Sequence, residues 1–303
     1  MIFQDLEQYI EVCLRSLREM DYPLDRYEII VVDNNSLDKT VAIVRKYNIN
    51  VFIMGRFTIS GSRNAGAAQA KGELLAFIDG DCTAPKNWLR KAVTLIQDEK
   101  IGAVGAQYIL PERTTWVERA WFVLIDKDRT EGITRWLPSC NMIVKKDVFK
   151  QIGGFREDLV TNEDVDLCKR IKDAGYSLYS SPNLSVVHLK NPKTLIEFMK
   201  KECWRGRGVW QNFLSQLPAI RLNKALIFTF YTLLCLAVIL AGLFMNVRIS
   251  GFACLALVAP SILMAFKTVS PKGKWSYLPA LTLLYVLYGI ARVACVLDVR
   301  NWK

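Results

Sequence analysis

Two carboxylates separated by one glycine, Asp79-Gly80-Asp81, end an apolar run that extends from Leu74 to Ile78. Aspartates offer the oxygen ligands that Mg2+ and Mn2+ prefer, and a cation held between them can be bridged to a diphosphate. The same residues also read as an Asp-Gly turn with solvated acids. A second polar cluster, Asp33-Asn34-Asn35-Ser36-Leu37-Asp38, follows another apolar run and carries turn-forming side chains, of which Ser36 suits a helix cap. A third, Thr161-Asn162-Glu163-Asp164-Val165-Asp166, gathers three carboxylates. It also has capping-box spacing, with Thr161 as cap and Asp164 at the third helical position, where the helix dipole stabilises an ionised carboxylate. His188, the only histidine, follows the short apolar segment Leu184 to Val187.

The elements around these clusters set where they sit. Leu74 to Ile78 has the length and composition of a buried strand in a parallel sheet. Ligands of open α/β sheets bind just beyond the carboxyl ends of such strands. Asp5 to Met20 reads as an amphipathic helix with Leu6, Ile10, Cys13, Leu14 and Leu17 on one face. Then come a strand over Tyr27–Val32, a helix over Leu37–Tyr47, a strand over Asn50–Met54 and a small-residue helix over Ser62–Ala70. Thr83 is expected to cap the next helix, with Pro85 in its first turn. Strands alternating with helices indicate a mostly parallel sheet wound from βα units.

Five segments resemble, in order, the glycosyltransferase family 2 pattern, a GT-A type nucleotide-sugar domain. They are Glu28 to Asp38, Gly61-Ser62-Arg63-Asn64-Ala65-Gly66, Asp79-Gly80-Asp81, Gly153-Gly154-Phe155 and Asn162 to Leu167. The resemblance runs from Leu6 to Gly208 and implies a Rossmann-like α/β fold and an inverting transfer from a nucleotide-diphosphate sugar. It places Asp33, Asn34 and Asn35 at the nucleoside, with Asn34 standing where a second aspartate is common. It places Arg63 at the diphosphate, which a guanidinium near a helix N-terminus suits. Asp79 and Asp81 become the Asp-x-Asp motif for ribose and Mg2+ or Mn2+, with His188 as a further ligand. Asp164, beside Glu163, becomes the base that takes the acceptor hydroxyl's proton, with Asp166 as the second choice. Trp136 to Asn141 fall near the expected acceptor and donor-sugar contacts. The family's opening apolar strand has no counterpart here beyond Ile2-Phe3, so the true start is expected upstream of Met1.

The last third of the chain is different in kind. Apolar runs cover Ala225–Met245, Ile249–Phe266 and Tyr277–Leu297, the last interrupted by Arg292. Each is long enough for a membrane-spanning helix. Met1-Ile-Phe-Gln-Asp does not open a signal peptide. Lys267, Lys272 and Lys274 lie between the second and third runs. With the N-terminal domain cytosolic, these lysines also face inside, as the positive-inside tendency requires. The net charge of +11 is concentrated between Lys190 and Lys224, which suits anionic lipid headgroups. No nucleic-acid motif accompanies it. The eight cysteines contain no Cys-x-x-Cys, which points to reduced thiols used as small apolar residues and away from disulfides or zinc.

The expected organisation is a GT-A domain over residues 1–190, a basic amphipathic segment over 191–223 and a three-span region over 224–303. The leading function is a membrane-anchored inverting glycosyltransferase acting on a glycan or lipid-linked acceptor at the cytosolic face. A processive polysaccharide synthase is the alternative, although Cys203-Trp204-Arg205-Gly206-Arg207 does not supply that group's Gln-x-x-Arg-Trp motif. A membrane scaffold with a degenerate catalytic domain is a third reading.

Overall fold

The apolar face read from Asp5 to Met20 packs as expected. Leu6, Ile10, Cys13, Leu14 and Leu17 are all buried. The helix itself is shorter, because backbone pairing before Ile10 gives way to a turn. The structure is a computed structural model that describes residues 1–55, 58–125, 130–159, 161–215, 224–245 and 247–297.

In chain order the elements are β1 (Ile2–Phe3), α1 (Ile10–Arg18), β2 (Val31–Asp33), α2 (Thr40–Arg45), β3 (Val51–Ile53), α3 (Ile59–Gln69) and β4 (Leu74–Ile78). Next are β5 (Cys82–Thr83), α4 (Trp88–Leu95), β6 (Ile101–Gly105), α5 (Trp116–Ile125), β7 (Gly132–Thr134), β8 (Asn141–Lys145), α6 (Lys146–Gln151), α7 (Glu163–Asp173), β9 (Ser177–Ser180) and β10 (Val187–His188). Four helices follow: α8 (Leu195–Ser215), α9 (Lys224–Met245), α10 (Val247–Val269) and α11 (Leu278–Leu297). They divide between one unit of Met1–Glu112 with Lys127–Lys190 and another of Arg113–Asp126 with Asn191–Lys303.

In the first unit, β1, β2 and β3 are parallel neighbours, and a five-stranded sheet runs in the order β4-β8-β6-β9-β7. The sheet is mixed, not mostly parallel. β8 runs against both β4 and β6, β9 runs with β6, and β7 runs against β9. The reversal enters through β8, an almost wholly buried strand between two others. Gly105 makes that packing possible: a Cβ there would lie 2.3 Å from the Asn141 carbonyl oxygen.

Three local expectations shift for identifiable reasons. Of the Tyr27–Val32 run only Val31 and Val32 pair as a strand, which continues to Asp33, and β1 pairs with Val32 and Asp33 alone. Beside the unpaired part lies a cavity of about 780 Å³ lined by Ile29, Ile30, Leu74, Phe77 and Trp88 among others. Thr83 does not cap a helix but pairs with Val187 in the β5–β10 ribbon, and α4 begins at Trp88. Thr161 is not the cap of α7. That place belongs to Asn162, in left-handed backbone with φ 64°, and Glu163 is the first helical residue.

In the second unit, Thr115 and Glu118 form a reciprocal capping box at the start of α5, with Glu118 Oε2 accepting the Thr115 N–H and Thr115 Oγ1 accepting the Glu118 N–H. Trp121 of α5 packs edge-on to Phe198 of α8 at 5.5 Å. Leu226–Phe244, Val247–Lys272 and Trp275–Cys295 are long and apolar enough to cross a membrane. In α8, Ile196 is 67% exposed while Phe198 and Glu202 are buried. Glu202 accepts from Arg292 at 2.9 Å and from Arg205 at 3.1 Å, and Arg205 stacks over Trp121. Arg205 is thus engaged within this unit. The side chains of Trp210 and Leu214, and residues 216–223 of the basic segment, lie outside the described residues.

Candidate active site

α3 is built from small residues, and its first turn is capped by Thr58, whose Oγ1 accepts the Gly61 N–H at 3.1 Å. From it Arg63 extends into the interior, 5% exposed, with its guanidinium 5.5 Å from the Phe155 ring centre. Its Nη1 donates to Glu163 Oε1 at 2.8 Å and its Nη2 to Asp79 Oδ1 at 2.9 Å. Burial works against the charge, but the two carboxylates outweigh it and hold the Arg63 pKa above its ordinary value. The diphosphate contact implied for Arg63 is therefore not where its donors point. It braces the turn after β4 against the start of α7, reaching a partner 100 residues along the chain from Arg63.

Asn64, the next residue, fastens the same helix to the Gly153-Gly154-Phe155 turn. Its Oδ1 accepts the Phe155 N–H at 2.9 Å, and its Nδ2 donates to the Phe155 carbonyl at 2.8 Å. Gly154 has φ 68°, and a Cβ on it would lie 2.8 Å from Asn64 Oδ1. The glycine pair meets a conformational need and a close approach at once.

Asp79 and Asp81 share a tight turn in which the Cys82 N–H donates to the Asp79 carbonyl at 3.0 Å. Leu189 N–H donates to the Asp81 carbonyl at 2.8 Å, so the ribbon of β5 and β10 pins the turn from its far side. His188 Nε2 lies 3.8 Å from Asp81 Oδ2, and both residues are buried. Gln4, Leu6, Asn34, Ile59, Ser62, Arg63, Asp79, Gly80 and Asp81 line a cavity of about 200 Å³.

Of the expected nucleoside contacts, Asn34 faces this cavity. Asp33 is buried and turned inward, where it accepts from the Ser36 N–H and from Ser36 Oγ at 2.5 Å. Asn35 is exposed, in left-handed backbone with φ 62°.

Asp164 follows Glu163 and is half-buried. Burial, then the neighbouring Glu163 charge, push its pKa up to about 6; the Val165 N–H, Arg63 and Trp136 pull the other way. Asp166 is differently placed: it accepts from Arg170 Nε at 2.8 Å and lies 3.8 Å from Arg156. It is thus paired with two arginines. Sequence reasoning did not single out Ser139, whose Oγ donates to Glu163 Oε1 at 3.1 Å. It also missed Asn141 as an anchor: its Nδ2 donates to the Ala106 and Leu184 carbonyls at 3.0 and 2.8 Å, and its Oδ1 accepts from Trp88. Neither serine nor asparagine in an irregular segment carries a signal that would mark it.

The fold and its sequence are shared with known proteins. The family model described as glycosyl transferase family 2 matches residues 1–153. The glycosyltransferase AglE of Haloferax volcanii is 32% identical over 222 residues, 70% of this chain and 72% of its own. A probable glycosyltransferase of Bacillus subtilis, YdaM, is 26% identical over 254 residues, 74% of this chain and 58% of its own. Among solved structures, the mannosyltransferase PcManGT from Pyrobaculum calidifontis, in complex with GDP-Man and Mn2+, has a TM-score of 0.61 at 19% identity, covering 98% of this chain and 86% of that one. TarS 1-349 of S. aureus with UDP-GlcNAc has a TM-score of 0.52 at 16% identity, covering 99% and 90%. At such identities the structural likeness establishes the GT-A-like fold. The family match over residues 1–153 and the extent of the AglE relationship establish the rest: the chain belongs to glycosyl transferase family 2.

Proposed function

We propose that this family 2 glycosyltransferase carries out a metal-dependent, inverting transfer of a sugar from a nucleotide-diphosphate sugar to a glycan or lipid-linked acceptor at the cytosolic face of a membrane. The observation that carries the reading is the continuous ionic chain Asp79–Arg63–Glu163, which ties the Asp-x-Asp turn to the residue preceding Asp164. GDP-Man, UDP-GlcNAc and Mn2+ in the structural neighbours agree with it.

Asp81, with Asp79 and His188, supplies a donor set that fits a divalent cation: a buried carboxylate, a second carboxylate one residue away in the same turn, and an imidazole 3.8 Å from the first. Bound there, Mg2+ or Mn2+ supplies Lewis-acid stabilisation for the departing nucleoside diphosphate. Asn34 faces the same cavity as the two aspartates and hydrogen-bonds the nucleoside.

Asp164 takes the proton from the acceptor hydroxyl as its oxygen attacks the anomeric carbon. A carboxylate raised to about 6 is a stronger base than an ordinary one and is still ionised at neutral pH. The membrane placement is supported by the three apolar helices and by the basic stretch before them.

The test is Asp164→Asn, assayed with UDP- and GDP-sugars in the presence of Mn2+. Transfer should fall by at least ~100-fold, as loss of a general base generally costs, with the donor dissociation constant little changed. Wild-type turnover in this variant removes Asp164 as the base.

A further inference from the structure

The cation site contains a donor that an all-oxygen site does not need. Cys82 and His188 are direct partners in the antiparallel ribbon of β5 and β10. Directly opposed residues in such a pair put their side chains on one face, with Cβ atoms about 4.5–5.5 Å apart. Asp81 precedes Cys82. One carboxylate oxygen of Asp81, the Cys82 Sγ and one ring nitrogen of His188 all lie within 4.8 Å of one another, and all three residues are buried. Two of the separations are short: Asp81 Oδ2 to His188 Nε2 is 3.8 Å, and Asp81 Oδ1 to Cys82 Sγ is 3.9 Å. Ligand atoms around a tetrahedral Zn2+ stand about 3.4–3.6 Å apart, given Zn–N and Zn–O near 2.1 Å and Zn–S near 2.3 Å. The two shorter separations, which involve different oxygens of Asp81, need closing by a few tenths of an ångström, and the third, bounded at 4.8 Å, by up to about 1.2 Å. The backbone is held on both sides, by Cys82 N–H to the Asp79 carbonyl and by Leu189 N–H to the Asp81 carbonyl.

We propose that Asp81, Cys82 and His188 form a binding site for a thiophilic divalent cation, Zn2+, and that its occupancy excludes the hard cation that shares Asp81. The donor chemistry decides the class of ion. Mg2+ demands octahedral oxygen coordination, whereas an oxygen, an imidazole nitrogen and a thiolate sulfur make a tetrahedral Zn2+ set with one place open. On binding, a Zn–S bond forms, the Cys82 S–H bond breaks and its proton leaves to the buffer; Asp81 and neutral His188 bind without proton loss. With its oxygen on Zn2+, Asp81 is withdrawn from the site where Mg2+ or Mn2+ meets the donor diphosphate. Zn2+ is therefore an inhibitor. Counting cysteine spacings could not reveal this, because the ligands are brought together by β10 and not by a Cys-x-x-Cys. The inference rests on the reading of Asp81 as a cation ligand, and its test separates the two.

The experiment uses the full chain in detergent micelles under reducing conditions, titrated with Co2+, a spectroscopic substitute for Zn2+. A thiolate-to-Co2+ charge-transfer band that Zn2+ abolishes at one equivalent is the expected result. Cys82→Ser should remove the band and raise the Zn2+ dissociation constant, read against a chelating dye, by ~100-fold or more. Cys82→Ala is the second variant, and whichever melts as a single transition near the wild type is scored. Absence of the band in the wild type, or its survival in the scored variant, overturns the proposal. Mn2+ binding to the wild type is read separately by water-proton relaxation. Mn2+ binding without a thiolate band refutes the Zn2+ site and leaves the hard-cation reading standing. A thiolate band without Mn2+ binding does the reverse, and neither signal overturns both.

Discussion

Arg63→Met tests the ionic brace at the centre of the site. The substitution keeps an unbranched apolar stem against Phe155 and removes the guanidinium that Asp79 and Glu163 share. Two carboxylates are then left facing the space of one lost cation. Removing one partner of a buried pair typically costs about 3–5 kcal/mol, because the other is stranded without compensation. Here the Glu163 side chain is 12% exposed and the Asp79 side chain 28% exposed, so water relieves part of the penalty and the lower end, about 3 kcal/mol, applies. For a domain of this size that corresponds to a fall in Tm of roughly 6–12 °C. The sign of its pH dependence follows from charge alone. Protonating either orphaned carboxylate removes the repulsion, so the deficit is largest above neutrality and narrows as the pH falls through the carboxylate range. The triple variant carrying Asp79→Asn, Arg63→Met and Glu163→Gln has no stranded charge and should recover most of the loss. The assay is thermal unfolding followed by far-UV circular dichroism at pH 5 and pH 8. A single variant within about 1 °C of wild type at pH 8, or a triple variant no better than the single, would refute the brace.

Transfer catalysed by Asp164 should rise with pH around an apparent pKa of about 6 and level off above it, and Glu163→Gln should move that inflection downward because the Glu163 charge helps to raise it; an unmoved inflection in initial-rate profiles counts against the pairing. The same raised pKa makes Asp164 a liability to the fold: it contributes nothing below the unfolded value near 3.8 and its full penalty above about 6. Asp164→Asn should therefore melt higher than wild type at pH 8 and about equally at pH 3, below the unfolded value, and a lower Tm at pH 8 would contradict this. Gly154→Ala forces a Cβ into left-handed backbone and to 2.8 Å from Asn64 Oδ1, which should cost about 2 kcal/mol or more in chemical denaturation; a change below ~0.5 kcal/mol would show the turn to be adaptable. Glu202→Gln strands Arg292 in the second unit, so it should destabilise more than the double variant with Arg292→Met, and the opposite order in a thermal series would exclude a buried pair.

What could be read from the sequence was whatever lay within one contiguous stretch. Asp79-Gly80-Asp81 follows directly on an apolar strand whose bounds, Leu74 to Ile78, match the structure residue for residue. The apolar runs of the last third became three long helices for the same reason, since length and hydropathy are local properties. The polar turn after β2 was legible, but not the inward rotation of Asp33, because an Asp that caps its own turn through Ser36 has the same sequence as one that points outward. β8 was missed because a strand buried on both faces shows no alternation, and with it went the mixed character of the sheet. α5 was not read from the sequence, and it is the packing of Val117, Trp121 and Val123 on Phe198, Leu284 and Ala265 that assigns it to the C-terminal unit.

Arg63 shows why the remaining part could not be read locally. Taken alone, a guanidinium near a helix start suits a phosphate, and nothing in Gly61-Ser62-Arg63-Asn64 argues otherwise. The competing partners are Asp79 and Glu163, one of them 100 residues away. Once both are in reach, the guanidinium is buried and both of its terminal nitrogens are engaged, and leaving either carboxylate without it would strand a charge. A diphosphate would have to displace one of them. Releasing Asp79 would free a carboxylate beside Asp81 at the proposed cation site, whereas releasing Glu163 would leave a second uncompensated negative charge next to Asp164. The first exchange is the cheaper one, so any motion of Arg63 on donor binding should open its Asp79 contact and keep its Glu163 contact. A donor-bound structure with Arg63 still on Asp79 and parted from Glu163 would reverse that order.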